Sequence, residues 1–177
     1  MGIADDAAEV RAQGWRTLAA LHGRIEDALE KALQRAHDLS VVEYTVLDAL
    51  GRQDGWHMRM QQLARAVVLS QSATTRLVTR LEDRGLLARY LCDTDRRGIY
   101  TEVTEAGRAL LEAARPTHDD ALARALADAA DLPELAPLVD ALAALPAVPA
   151  VPAASASGVG ASGAGGSRPA GASAATR

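Results

Sequence analysis

Two adjacent arginines and a glycine, Arg96, Arg97 and Gly98, lie within "DTDRRGIYTEVTEAG", between two runs that read as short strands. A guanidinium is a permanent cation with a planar fork of donors, suited to phosphate oxygens and to the acceptor edge of guanine. Gly98 permits a turn that a Cβ would hinder, and Asp95 is placed to hold Arg97 by a charge-assisted hydrogen bond. Just upstream, "SQSATTRLVTRLEDRG" carries a second set of donors at helical spacing. At 100° per residue Ser72, Thr75, Arg76 and Thr79 centre on one side, with Gln71 and Arg80 flanking, while Ala73, Leu77, Val78 and Leu81 occupy the other. Short hydroxyls allow a helix backbone to approach a partner closely, and arginine reaches further.

The formal net charge of −4 argues at first against a polyanionic partner. It is unevenly spread: between Arg59 and Arg108 nine arginines meet six carboxylates, a local +3, which leaves −7 for the remainder. Arg59, Arg65 and Ser70 lie in this segment as candidate phosphate contacts. Other chemistry is sparse. Cys92, the only cysteine, follows Arg89 and precedes Arg96 and Arg97, so it is either a thiolate-based redox sensor or a small strand residue. His22, His37, His57 and His118 show no metal-ligand spacing, no cofactor motif is credible, and no nucleophile elbow appears, so an enzyme is not expected. "GVGASG" has the spelling of a dinucleotide-binding turn, but it follows no strand and precedes no helix.

The elements that must position these groups are mostly helices. Phe is absent and aromatics are 3%, so Leu, Val and Ala fill the core of what should be one domain among the 177 residues. Trp15, Leu18, Leu21, Ile25, Leu29 and Leu33 form one stripe of a long helix over 5–36, roughly 45 Å in reach, longer than a compact domain needs and suited to packing on a second chain. Ser40 and Glu43 make a capping box for a second helix that ends around Gly51. "MQQLARAVVLS" reads as a short helix with Leu63, Ala64 and Val67 inward, and after a tight turn the next helix starts at Ser70 and stops at Gly85. The strands "LLARYL" and "IYTEVT" follow, then a helix capped by Thr104 and running to about Ala130. Pro133 is expected near the start of a last helix carrying Leu135, Leu138, Leu142 and Leu145, which Pro137 would distort. From 146 to 177 the chain is Ala, Gly, Ser, Pro and Val, the composition of a disordered tail. No apolar run approaches the ~20 residues of a membrane span, and the lone cysteine fits a reducing, cytoplasmic location.

Two short helices joined by a tight turn, the second presenting hydroxyls and arginine outward, form the arrangement that inserts a helix into the major groove of double-stranded DNA. A hairpin directly after it is a wing, whose arginine tip would reach the adjacent minor groove. At these residues the chain resembles the MarR family of bacterial transcription regulators. The wing pattern is matched by Asp95, Arg97, Val103, Thr104 and Gly107, and the likeness extends through "LARAVVLSQSATTRLVTRLEDRGLLAR" to cover roughly Leu39 to Leu111. Thr101 stands where an aliphatic is usual and Val103 where Leu is usual.

The resemblance implies a mostly α fold with a small β-hairpin wing: a winged helix-turn-helix over 39–104, with dimerisation helices over 5–36 and 105–145. It implies a homodimer on a pseudo-palindromic operator, and repression relieved by a small, often aromatic or phenolic, ligand between the dimer helices and the DNA-reading unit. Trp15, His22 and His118 are the candidate ligand contacts; the plainer reading makes Trp15 dimer core and both histidines surface. Peroxide-sensing members carry their cysteine near the start of the first helix, where this chain has none. A winged helix used as a protein-interaction module, docking a basic partner through the acidic flanks, is the alternative.

Overall fold

The computed structural model describes residues 3–92 and 95–146, with side chains described for 6–91 and 98–146. The side chains of Cys92, Asp95, Arg96 and Arg97, and the whole 147–177 stretch with its expected disorder and its Gly-rich spelling, lie outside the described residues.

Helix α1 runs Ile3–His37, α2 Val41–Gly51, α3 Met60–Ala66, α4 Gln71–Asp83, α5 Glu105–Ala130 and α6 Ala136–Ala143. Helix starts follow the capping side chains. Ser40 Oγ accepts from the Glu43 amide while Glu43 Oε2 accepts from the Ser40 amide at 3.0 Å, closing the box at α2. Ser70 and Thr104 cap α4 and α5 in the same way, accepting from Ala73 and Gly107. Three helices stop on a left-handed residue: Asp38 after α1, Val68 after α3 and Gly85 after α4.

Strands β1 (His57–Arg59), β2 (Leu87–Cys92) and β3 (Asp95–Val103) form an antiparallel sheet with β3 in the middle. The expected hairpin is β2–β3; β1 is a third strand that the sequence reading lacked, pairing Met58 with Thr101. Leu87 lies opposite Val103, Arg89 opposite Thr101, Tyr90 opposite Tyr100 and Leu91 opposite Ile99. One face of the sheet buries Met58, Leu87, Thr101 and Val103. The other gathers His57, Tyr90 and Tyr100, the two tyrosines stacked at 5.7 Å.

The main core joins Leu33 and Leu39 to Leu47 and Leu50 of α2, Leu63 of α3, Leu77, Val78 and Leu81 of α4, and Leu111 and Ala114 of α5. A second cluster sets Leu21 against Ala129 and Leu135, so α1 and α5 run antiparallel. His37 Nε2 meets Thr117 Oγ1 at 2.8 Å along the same seam. The C-terminal end differs from expectation in two ways. Pro133 lies in a turn ahead of α6, and Pro137 sits in the first turn of α6, where a missing amide costs nothing, so it starts the helix rather than distorting it. Leu145 falls beyond the helix.

Candidate nucleic-acid interface

Helix α4 is amphipathic because its apolar residues recur at three and four. Leu77, Val78 and Leu81 are buried, and Gln71, Ser72, Thr75, Arg76 and Arg80 are exposed. Among the described residues neither Arg76 nor Arg80 has an ion-pair partner. Thr75 donates its hydroxyl to the Gln71 carbonyl at 2.9 Å, leaving its oxygen outward as an acceptor. Ser72 Oγ lies 3.2 Å from Ser70 Oγ at the exposed start of the helix. Two hydroxyls depart from the sequence pattern. Thr74, next to exposed Thr75, is fully buried and donates to the Ser70 carbonyl at 3.0 Å. Thr79 is half-buried, and its hydroxyl accepts from Arg89 Nη2 at 3.3 Å.

That contact orients the wing. Arg89, on β2, also pairs with Glu82 of α4, so one guanidinium ties the strand to the helix. In the sequence Arg89 stands out only as a cation near Cys92, because its role against α4 depends on a strand crossing a helix. Arg84, at the end of α4, reaches back to the Asp38 carbonyl at 2.7 Å and to Glu43 at 3.3 Å, fixing α4 against the α1–α2 turn.

Arg65 is exposed in the last turn of α3. Arg59 lies on β1, donates from Nε to the Tyr100 hydroxyl at 2.8 Å and sits over that ring. Gly98 is half-exposed in β3. Beside α4 opens a cleft of about 570 Å³ with Val42, Leu69, Ala73 and Leu77 as its apolar lining and Thr75, Arg76, Thr79 and Arg80 completing it.

The three ligand candidates do not meet within one chain. Trp15 is 67% exposed on α1, and His22, also exposed, lies 3.6 Å from Glu26 on the same helix. His118 is on α5, near the opposite end of the α1–α5 seam, and it is not a plain surface residue: its ring stacks on Tyr44 at 4.3 Å. Burial pushes the Tyr44 hydroxyl above its ordinary value, with nearby Asp48 adding to the shift. Asp48 in turn holds Arg52 at 2.7 Å and Arg115 at 3.3 Å, joining α2 to α5. Tyr44 was missed because nothing in its own helix marks it; its partner is 74 positions away. Among the described residues no His, Cys, Asp and Glu group forms a candidate metal site, and no helix is long and apolar enough to cross a membrane.

A profile of the MarR family matches residues 37–98, from the end of α1 to the wing. The chain is 31% identical to the HTH-type transcriptional regulator MhqR of Bacillus subtilis over 57% of this chain and 68% of that protein. Its fold is similar to that of Sco3205, a MarR family transcriptional regulator from Streptomyces coelicolor solved in complex with DNA, at a TM-score of 0.63 and 29% identity, covering 73% of this chain and 80% of that one. CouR of Rhodococcus jostii, solved bound to p-coumaroyl-CoA, is 34% identical over 60% of this chain and 73% of its own, with a TM-score of 0.55. The helix-turn-helix with its attached wing and these relatives agree: the chain belongs to the MarR family and is a DNA-binding transcriptional regulator.

Proposed function

We propose that the protein is a homodimeric repressor of the bacterial cytoplasm whose two winged helix-turn-helix units occupy a pseudo-palindromic operator, and which a small aromatic or phenolic ligand releases. The observation that carries the DNA contacts is the outward row of Ser72, Thr75, Arg76 and Arg80 on α4, with a wing tied to that helix by Arg89. In this reading α4 enters the major groove with Gln71, Ser72, Thr75, Arg76, Thr79 and Arg80 toward the bases and adjoining backbone. Asp95, Arg96, Arg97 and Gly98 serve the minor groove, and Arg59, Arg65 and Ser70 meet phosphates. The dimerisation helices span 5–36 and 105–145, and the reading unit 39–104.

Ligand response draws its support from CouR, solved with p-coumaroyl-CoA, and from the cleft beside α4, where an occupant and the operator would compete for the same helix. Of the three candidates, His118 stands between α2 and α5 with Tyr44 beneath it, whereas Trp15 and His22 lie on the α1 surface assigned to the partner chain.

Fluorescence polarisation over a salt series, on operator fragments selected from random duplexes, tests the DNA contacts. Arg97→Ala should weaken binding on every sequence and lower the log–log salt slope by about one, while Thr75→Ala should relax preference at one base pair. Wild-type behaviour from both variants would remove the assignment.

A further inference from the structure

The wing carries an aliphatic pair in an unusual place. Leu91 of β2 is 67% exposed and Ile99 of β3 is 52% exposed, and they stand directly opposite each other in the hairpin register. Alternation puts them on the same side of the sheet as Arg89 and Thr101, two register positions closer to the body, and as buried Leu87 and Val103, four positions closer. That side faces α4, because Arg89 there bonds to Thr79 and Glu82. Around the pair, at the β2 edge of the sheet, the surface forms a shallow, mainly apolar depression that Arg89 and Tyr90 also line. The core-forming stripe of the wing therefore continues past the end of the core, into the space between wing and reading helix.

When α4 lies in a major groove and the wing in the adjacent minor groove, one DNA strand must pass through that space. Its phosphates point outward, but its deoxyribose rings present C–H edges that are apolar and identical at every sequence position. We infer that Leu91 and Ile99 seat against the deoxyribose rings of this intervening strand, an apolar anchor beside the ionic wing. The inference rests on the DNA-contact reading given above. The surface is continuous with that interface, and the occupant it suits is sugar rather than phosphate, since neither side chain can bond an anion.

An apolar anchor and an ionic one differ in salt response: burying hydrocarbon releases no condensed counterions. The test is a polarisation titration of the full chain on its selected operator at several salt concentrations, with the Leu91→Ser/Ile99→Ser double variant, Leu91→Met/Ile99→Val as the conservative pair, and Arg97→Ala as an ionic control. The serine pair should bind about tenfold more weakly with an unchanged salt slope and an unchanged melting temperature, as expected for loss of a modest apolar contact. The conservative pair should bind within about twofold of wild type. Undiminished affinity of the serine pair alongside weakened Arg97→Ala would overturn the inference and leave the DNA reading intact. A salt slope that falls with the serine pair would also overturn it, since ionic contacts would then have been lost. If Arg97→Ala itself binds as wild type, the underlying reading is what has failed.

Discussion

Val68 holds the turn between α3 and α4 in a conformation that valine resists. Its φ is +54°, in the left-handed region where a β-branched side chain crowds the following carbonyl, at a cost of about 1–2 kcal/mol. The turn is a Schellman stop: the Val68 amide donates to the Arg65 carbonyl at 3.3 Å and the Leu69 amide to the Ala64 carbonyl at 3.0 Å. Glycine is the usual occupant of that position, and Gly85 fills it after α4 with φ +72°. Val68 is 87% exposed, so its side chain gains little from packing. Val68→Gly should therefore stabilise the fold by about 0.5–1 kcal/mol, the relief being partly offset by the freer unfolded chain. Calorimetry should find the melting temperature raised by about 1–4 °C, with operator affinity unchanged because the α3–α4 geometry is kept; a lower melting temperature would contradict the strain. Residue by residue, the sequence was readable where local type decides, as with Ser70, exposed Ser72 and exposed Arg76. It was opaque where a distant partner decides. Buried Thr74 looks as polar as exposed Thr75, and only the position of the helix against the core separates them.

Elements announced their beginnings better than their pairings. The capping box at Ser40 and the Thr104 cap are encoded within four residues, so α2 and α5 begin where the sequence placed them. Strand β1 spans three residues and exists only because β3 offers it an edge, a long-range event with no alternation to signal it. Gly107 shows how an element start can depend on another element. A Cβ there would press into the Leu86 carbonyl and stand 2.7 Å from Val103 Cγ1. The Leu86 carbonyl cannot retreat easily, because it accepts from the Thr104 amide at 3.1 Å. Gly107→Ala is thus expected to destabilise by about 3 kcal/mol, an overpacking cost at the junction of α5 with the wing. In urea the midpoint should fall by about 1–3 M; a loss below about 0.5 kcal/mol would show that α5 slides freely against the sheet.

At the scale of the whole molecule, the unresolved balance is on α1. Over 35 residues it extends about 50 Å, yet among the described residues burial within the chain begins only at Leu21. Before that point Val10, Trp15 and Leu18 are exposed, and at the other terminus so are Leu142 and Leu145. Large apolar side chains gathered on terminal elements in this way fit a surface made for another chain, which is how we read the homodimer. Coupling follows from that assembly. Two half-sites bound by one rigid dimer share a single loss of translational freedom, whereas separate monomers each bear it, so dissociation should weaken operator binding far more than loss of any one contact. Trp15→Glu/Leu18→Glu places two carboxylates in the proposed interface, 67% and 48% exposed in the single chain, and should leave each monomer folded. Light scattering should report the mass falling from about twice 18.5 kDa to that of one chain, and operator affinity should drop by roughly 100-fold or more. A variant that stays dimeric, or a monomer that binds as tightly as wild type, would detach α1 from the assembly and require the exposed leucine and tryptophan to serve something else.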